Sequence, residues 1–237
     1  MTAIAPTTAS LRTPWDPSRK TAFIAGAFYL ITFASSIPAL ILLGPVLGNP
    51  DYIISAGADT QVIWGCLLDV VNALAAVGSA VALFPVVKRQ NEALALGFVA
   101  SRLIEAAVIM IGVVSLLAVV TLRQSAGSSG VDLPALLFTG QALVAVRDWT
   151  FLLGPGLMPA FNAVLLGSLL YRSGLVPRVI PTMGLVGAPL LLAADLATLF
   201  GYIPQISLWS GIATLPVAAW ELAVGTWMVA KGFKQNG

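Results

Sequence analysis

Residues 93–122 read ALALGFVASRLIEAAVIMIGVVSLLAVVTL, a run whose only charges are Arg102 and Glu105. About 20 apolar residues cross the hydrocarbon core of a bilayer as a helix, so this run is long enough to span and too apolar to face water. Arg102 and Glu105 are three apart, which puts them on one helix face and lets them pair inside the span. A spanning helix with charge within it is a pattern that recurs along the chain.

Toward the amino terminus, no charge occurs from Thr21 to Pro50, giving a first span at about 21–44. A second runs over about 62–87 and closes on Lys88-Arg89; the quoted run, 93–122, is the third, followed by a flexible Ser/Gly loop at 125–130. A fourth at about 150–171 closes on Arg172 and Arg178, a fifth covers 179–203, and a sixth covers 206–230 before Lys231 and Lys234. The composition agrees: the chain is 58% hydrophobic and 9% charged, with mean hydropathy +0.94, whereas a soluble domain is about a quarter charged. Too few charges exist to coat a globule, so lipid must be the solvent for most of the surface. The expected fold is all-α, an integral membrane helical bundle. One six-span domain fills 21–234, and the Pro/Thr/Ser-rich residues 1–20 form a disordered cytoplasmic tail before an uncleaved signal anchor.

Residues 134–149 are apolar but short for a crossing, and fit a short outer-side interfacial or re-entrant helix. Orientation supports this. With six crossings, Arg12, Arg19, Lys20, Lys88, Arg89, Arg172, Arg178, Lys231 and Lys234 share one side, nine of the twelve basic residues. A crossing at 134–149 would move Arg172, Arg178, Lys231 and Lys234 to the other. Both termini are therefore expected in the cytoplasm and the protein in the plasma membrane, with Arg147-Asp148-Trp149 at the outer interface.

The chain has no histidine and a single cysteine, Cys66, which removes the usual haem, zinc and copper ligands and the histidine-dependent nucleophiles. No metal or cofactor is expected, and Cys66 reads as packing. Basic residues are scattered in pairs rather than massed on a face, so nucleic acid is not a partner. The bilayer is one; a lipophilic small molecule and a second copy of the chain are the others the pattern allows.

Charge within spans is costly, about 2.5–3.5 kcal/mol per residue at helix centre on insertion scales, so such residues face a partner or water. They are Asp69, Arg102, Glu105, Asp195 and Glu221. Depth counting places Arg102 in the inner half of its span and the four acids between mid-membrane and the outer leaflet. Tyr29 and Asn72 lie on polar stripes of spans one and two, Asn162 in mid-span four can complete the ring, and Trp220 flanks Glu221. The spans are expected to pack around a polar intramembrane cavity lined by Arg102, Asp69, Asn72, Tyr29, Asn162 and Trp220. Glu105, Glu221 and Asp195 are its candidate acid, base or relay groups, and Arg147 and Asp148 a lid over it. The alternative for Arg102 and Glu105 is an interhelical clamp.

Several short motifs resemble a bacterial multi-pass membrane family, DUF4386, a domain of unknown function. They are Arg19-Lys20-Thr21-Ala22 before Gly26 and Tyr29-Leu30, Ala82-Leu83-Phe84-Pro85, Ala100-Ser101-Arg102 with Glu105, and Trp220-Glu221-Leu222 leading to Lys231-Gly232-Phe233. The resemblance covers nearly the whole chain after residue 18 and implies a membrane location without an activity. Three readings stay open: a metal-free acid–base enzyme, of cyclase or isomerase type, on a lipophilic substrate; a small proton-coupled transporter or transporter subunit; and a scaffold whose polar centre only holds the helices in register.

Overall fold

A computed structural model describes residues 16–55, 57–126 and 132–234, all helix, turn or irregular segment. The tail expected over 1–20 lies outside the described residues up to position 15, as do Arg12 and most of the Ser/Gly loop. Helix α1 (Pro17–Leu47) begins earlier than the charge pattern indicated. Pro17 sits in its first turn, where a missing N–H costs nothing. Arg19 holds that turn by donating to the carbonyls of Met228 (2.9 Å) and Val229 (2.7 Å) at the far end of the chain.

Helices α2 (Asp59–Val87) and α3 (Glu92–Ser125) follow, the latter capped by Asn91, whose side chain accepts from Leu94 N–H. The helix expected over 134–149 is present as α4 (Leu133–Phe151), but it does not end there. It passes through a π turn at Leu152–Gly156 into α5 (Met158–Ser173), and Leu133–Ser173 is one continuous apolar stretch of 41 residues. The cause of the break is Pro155, which has no N–H to give the preceding turn and whose ring would strike the carbonyl four residues back. The helix widens instead, so that Leu157 N–H reaches the Leu152 carbonyl at 2.8 Å. Helices α6 (Val179–Leu199) and α7 (Leu208–Ala230) complete the bundle. Among the described residues, six helices are long and apolar enough to cross a membrane, the joined α4–α5 stretch counting as one.

Each helix packs on its chain neighbours, and α7 returns to α1, so the helices close into a ring. Helix α3 lies along both α4 and α5. One apolar core, containing Ala22, Leu83, Phe98, Leu170, Trp220 and Met228, fills the end that carries both termini. A second, containing Leu43, Val62, Val113, Leu116 and Val120, fills the opposite end. Outside, large apolar side chains are bare: Ile41 is 70% exposed, Leu74 66% and Val114 63%. A surface of that kind is stable only against lipid.

Close approach of α6 and α7 depends on Gly184, where an added Cβ would lie 2.6 Å from the Trp220 ring. Gly211 on α7 has nothing within 4 Å of the same position. Gly184→Ala is expected to lower the melting temperature of the purified protein, at a cost of about 1–3 kcal/mol from overpacking. Gly211→Ala should leave it level or slightly raised, since alanine is the better helix former. Equal melting of the two variants would contradict this packing.

Candidate functional site

The charged side chains within the spans separate into two paired sets and one single carboxyl. In the first set Arg102 and Glu105, one turn apart on α3, pair at 3.0 Å, and the other side of the guanidinium reaches Glu221 on α7 at 2.5 Å. Asn162 on α5 donates its amide to the Glu105 carboxylate at 2.7 Å. The Tyr29 ring of α1 lies 5.1 Å from the guanidinium carbon and that of Phe98 5.9 Å. Arg102 is 2% exposed and Glu105 6%. Helices α1, α3, α5 and α7 therefore meet through one arginine inside the ring. Trp220, fully buried, packs on Gly184 beside this set.

The second set joins α4 to α2: Arg147 pairs with Asp69 at 3.1 Å, both buried. Arg147 passes α3 at Gly112, where a Cβ would stand 2.9 Å from the Arg147 Cδ. The Phe151 ring covers its guanidinium at 4.9 Å, and Ser115 donates to the Leu143 carbonyl beside it. Gly112 lies seven residues beyond Glu105, so this pair is about 10 Å further along α3 than the first. Asn72 is buried one turn from Asp69. The consecutive residues expected to form a lid point apart, as neighbours on a helix do: Arg147 turns into the bundle, while Asp148 is exposed and its backbone carbonyl accepts from the Gln205 amide at 3.4 Å.

Asp195 belongs to neither set. It is buried on α6, its Oδ2 is sealed from solvent, and it has no hydrogen-bond partner among the described residues. A Cβ at Gly156 would lie 3.5 Å from its Oδ1, so the carboxyl sits against the π turn. It is eleven residues beyond Gly184, about 16 Å along α6 from the level of Trp220. The four acids thus do not share one centre. Glu105 and Glu221 converge on Arg102, Asp69 is taken by Arg147, and Asp195 stands apart.

Two features of the site are not apparent in the charge pattern. One is the π turn beside Asp195, whose signal is Gly154-Pro155-Gly156 in an apolar stretch. The other is a clamp at the end opposite the termini. There Arg123 pairs with Asp59 at 2.7 Å, donates to the Ser55 carbonyl at 3.0 Å, and lies over the Tyr52 ring. Tyr52 donates to Asp59 at 2.8 Å. Burial, and then the hydrogen bond to Asp59, push its phenol pKa above the ordinary value. Spans two and three are antiparallel neighbours, so charges at their facing ends meet.

Removing one member of a buried network leaves the others uncompensated, at a cost of about 3–5 kcal/mol. Arg102→Met should therefore yield little folded protein. Arg102→Met combined with Glu105→Gln and Glu221→Gln should recover most of the lost thermal stability, since no uncompensated charge of this network remains. If Arg102→Met alone melts like the parent, the network does not hold the bundle.

A family model described as a domain of unknown function (DUF4386) matches residues 24–232. Neither a curated protein nor a solved structure matches the chain.

Proposed function

The chain belongs to the family of that domain of unknown function, DUF4386, and from this premise we propose that it is a small proton-coupled transporter, or the membrane subunit of one, with Asp195 as its exchange site. The observation that carries the reading is the contrast between the buried charges. Arg102, Glu105, Glu221, Asp69 and Arg147 each have a counter-charge in contact. Asp195 has none among the described residues, yet stands beside the broken turn of the fourth span. A paired charge repays its burial by holding helices together; an unpaired one has no such return and is a site for a proton or a ligand. Solute sites in transporters form where spanning helices are interrupted, because there the backbone and a side chain can both reach the ligand.

The elements packed on α6 are α5, α7 and the π turn. Their charged residues are Arg172, in the last turn of α5, and Glu221, held by Arg102; Tyr171 is at the same end as Arg172. None stands at the level of Asp195, which leaves its carboxyl free to gain and lose a proton. The enzyme reading has less support, because Glu105 and Glu221 are both committed to Arg102.

The plasma membrane, with both termini in the cytoplasm, is the location that best fits the charges. Arg19, Lys20, Lys88, Arg89, Arg172, Arg178, Lys231 and Lys234 are at the end that carries the termini, and basic residues flanking spans stay on the cytoplasmic side.

Proteoliposomes loaded with a pH-sensitive dye test the transport reading against a panel of amino acids, sugars, organic acids and organic amines. At least one class should drive proton movement that is absent from empty liposomes and lost in Asp195→Asn. No movement with any class, or an undiminished signal in the variant, would overturn the reading. For orientation, a cysteine placed at Lys88 in a Cys66→Ser background should react with an impermeant maleimide only after cells are opened, and one at Thr60 in intact cells; the reverse pattern would invert the topology.

A further inference from the structure

The seam that holds Asp195 continues outward as a groove of about 450 Å³ between α4 with the π turn on one side and α6 with the loop after it on the other. Its lining includes Asp148, Trp149, Leu152, Thr198, Pro204 and Gln205. Thr198 is one turn beyond Asp195 on the same face of α6, and Leu152 is one turn from Gly156, the residue that Asp195 touches. The carboxyl of Asp195 is therefore one turn below the groove floor, while Asp148 stands exposed at its rim.

Three properties define what such a groove takes. The charge is negative: Asp148 has no ion pair among the described residues, Asp195 has no partner among them, and the nearby Arg147 is turned away onto Asp69. The walls are apolar and aromatic, with Trp149 half exposed, and an indole face attracts cations. The groove lies at the end of α6, where the loop toward α7 begins, so an occupant with an apolar body can enter it at the boundary of the span. An anion fails on charge and a sugar has no apolar body to set against the walls, and an inorganic cation would leave the indole and the apolar walls unused.

We propose that this groove binds organic cations with a bulky apolar body, the positive charge at Asp148 on the rim and attracted from beneath the floor by Asp195, and the apolar part against Trp149. This rests on the transport reading for its purpose, but its chemistry stands on the groove itself. It names the solute class that the flux panel should single out, the organic amines.

Tetraphenylphosphonium and tetraphenylborate share one shape and carry opposite charge, and they form the test. Equilibrium dialysis of each against the purified chain in detergent, with protein-free micelles subtracted, should show saturable binding of tetraphenylphosphonium only. Affinity should fall severalfold in each of Asp148→Asn, Trp149→Ala and Asp195→Asn. Size-exclusion profile and melting temperature establish that each variant is folded. If Asp195→Asn is not, the exposed pair Asp148→Asn and Trp149→Ala decides. No saturable tetraphenylphosphonium binding, equal binding of the borate, or affinity unchanged in every folded variant overturns the proposal. Saturable binding without solute-driven proton movement would leave this site standing and remove the transport reading. Flux with another solute class, and no phosphonium binding, would do the reverse.

Discussion

A charge inside a bilayer has to find a partner or a purpose, and that constraint organises this protein. The ring of helices buries Arg102 at its centre, and no single apolar contact could compensate an isolated guanidinium there. Two carboxylates from different helices, one of them also bound by Asn162, supply the compensation. Because the partners come from α3, α5 and α7, satisfying the arginine also fixes how those helices sit relative to one another. Side-chain electrostatics and helix packing are here one problem with one solution. The same logic, one arginine reaching one carboxylate across a glycine, joins α4 to α2 through Arg147 and Asp69.

Asp195 gains its meaning from that background. In a bundle where the other buried charges are matched, an unmatched carboxyl beside a proline-widened turn is the feature that packing does not explain. Its neighbourhood is also where the helix backbone departs from the regular ladder, so the place of least structural return and the place of greatest backbone freedom coincide.

The sequence carried the fold well, for a physical reason. Spanning helices are set by hydrophobic length, which is local, and the basic residues that punctuate the spans are local too. Membership of the six-helix, DUF4386-type bundle could be read from short motifs, and residues 24–232 match that family. The pairing of Arg102 with Glu105 was legible because one turn of α3 suffices to make it. Depth counting set Glu221 and Asn162 near the same level as Glu105 but named no contact between them; those contacts come from the structure. Arg147 was not legible. Beside Asp148 and Trp149 it looks interfacial, and only the course of α4 along α3, past Gly112, turns it toward Asp69. The continuity of α4 into α5 was hidden for a different reason: 134–149 is short for a crossing, and Arg147 and Asp148 divide it from the span expected at 150–171, whereas inside the bundle the helix runs on through the widened turn at Pro155. Nor could depth alone separate the acids, because residues at similar heights on different helices face different partners.

The claim on which this rests is that Asp195, and not the carboxyls paired with Arg102, is the exchange site. Infrared difference spectroscopy of the reconstituted protein across a pH titration reads this directly. The account predicts a protonated-carboxyl band that appears and disappears with pH, vanishes in Asp195→Asn, and persists in Glu105→Gln and Glu221→Gln wherever those variants fold. A titrating band that survives in Asp195→Asn and is lost with either glutamate would contradict it, and would return the exchange site to the arginine cluster.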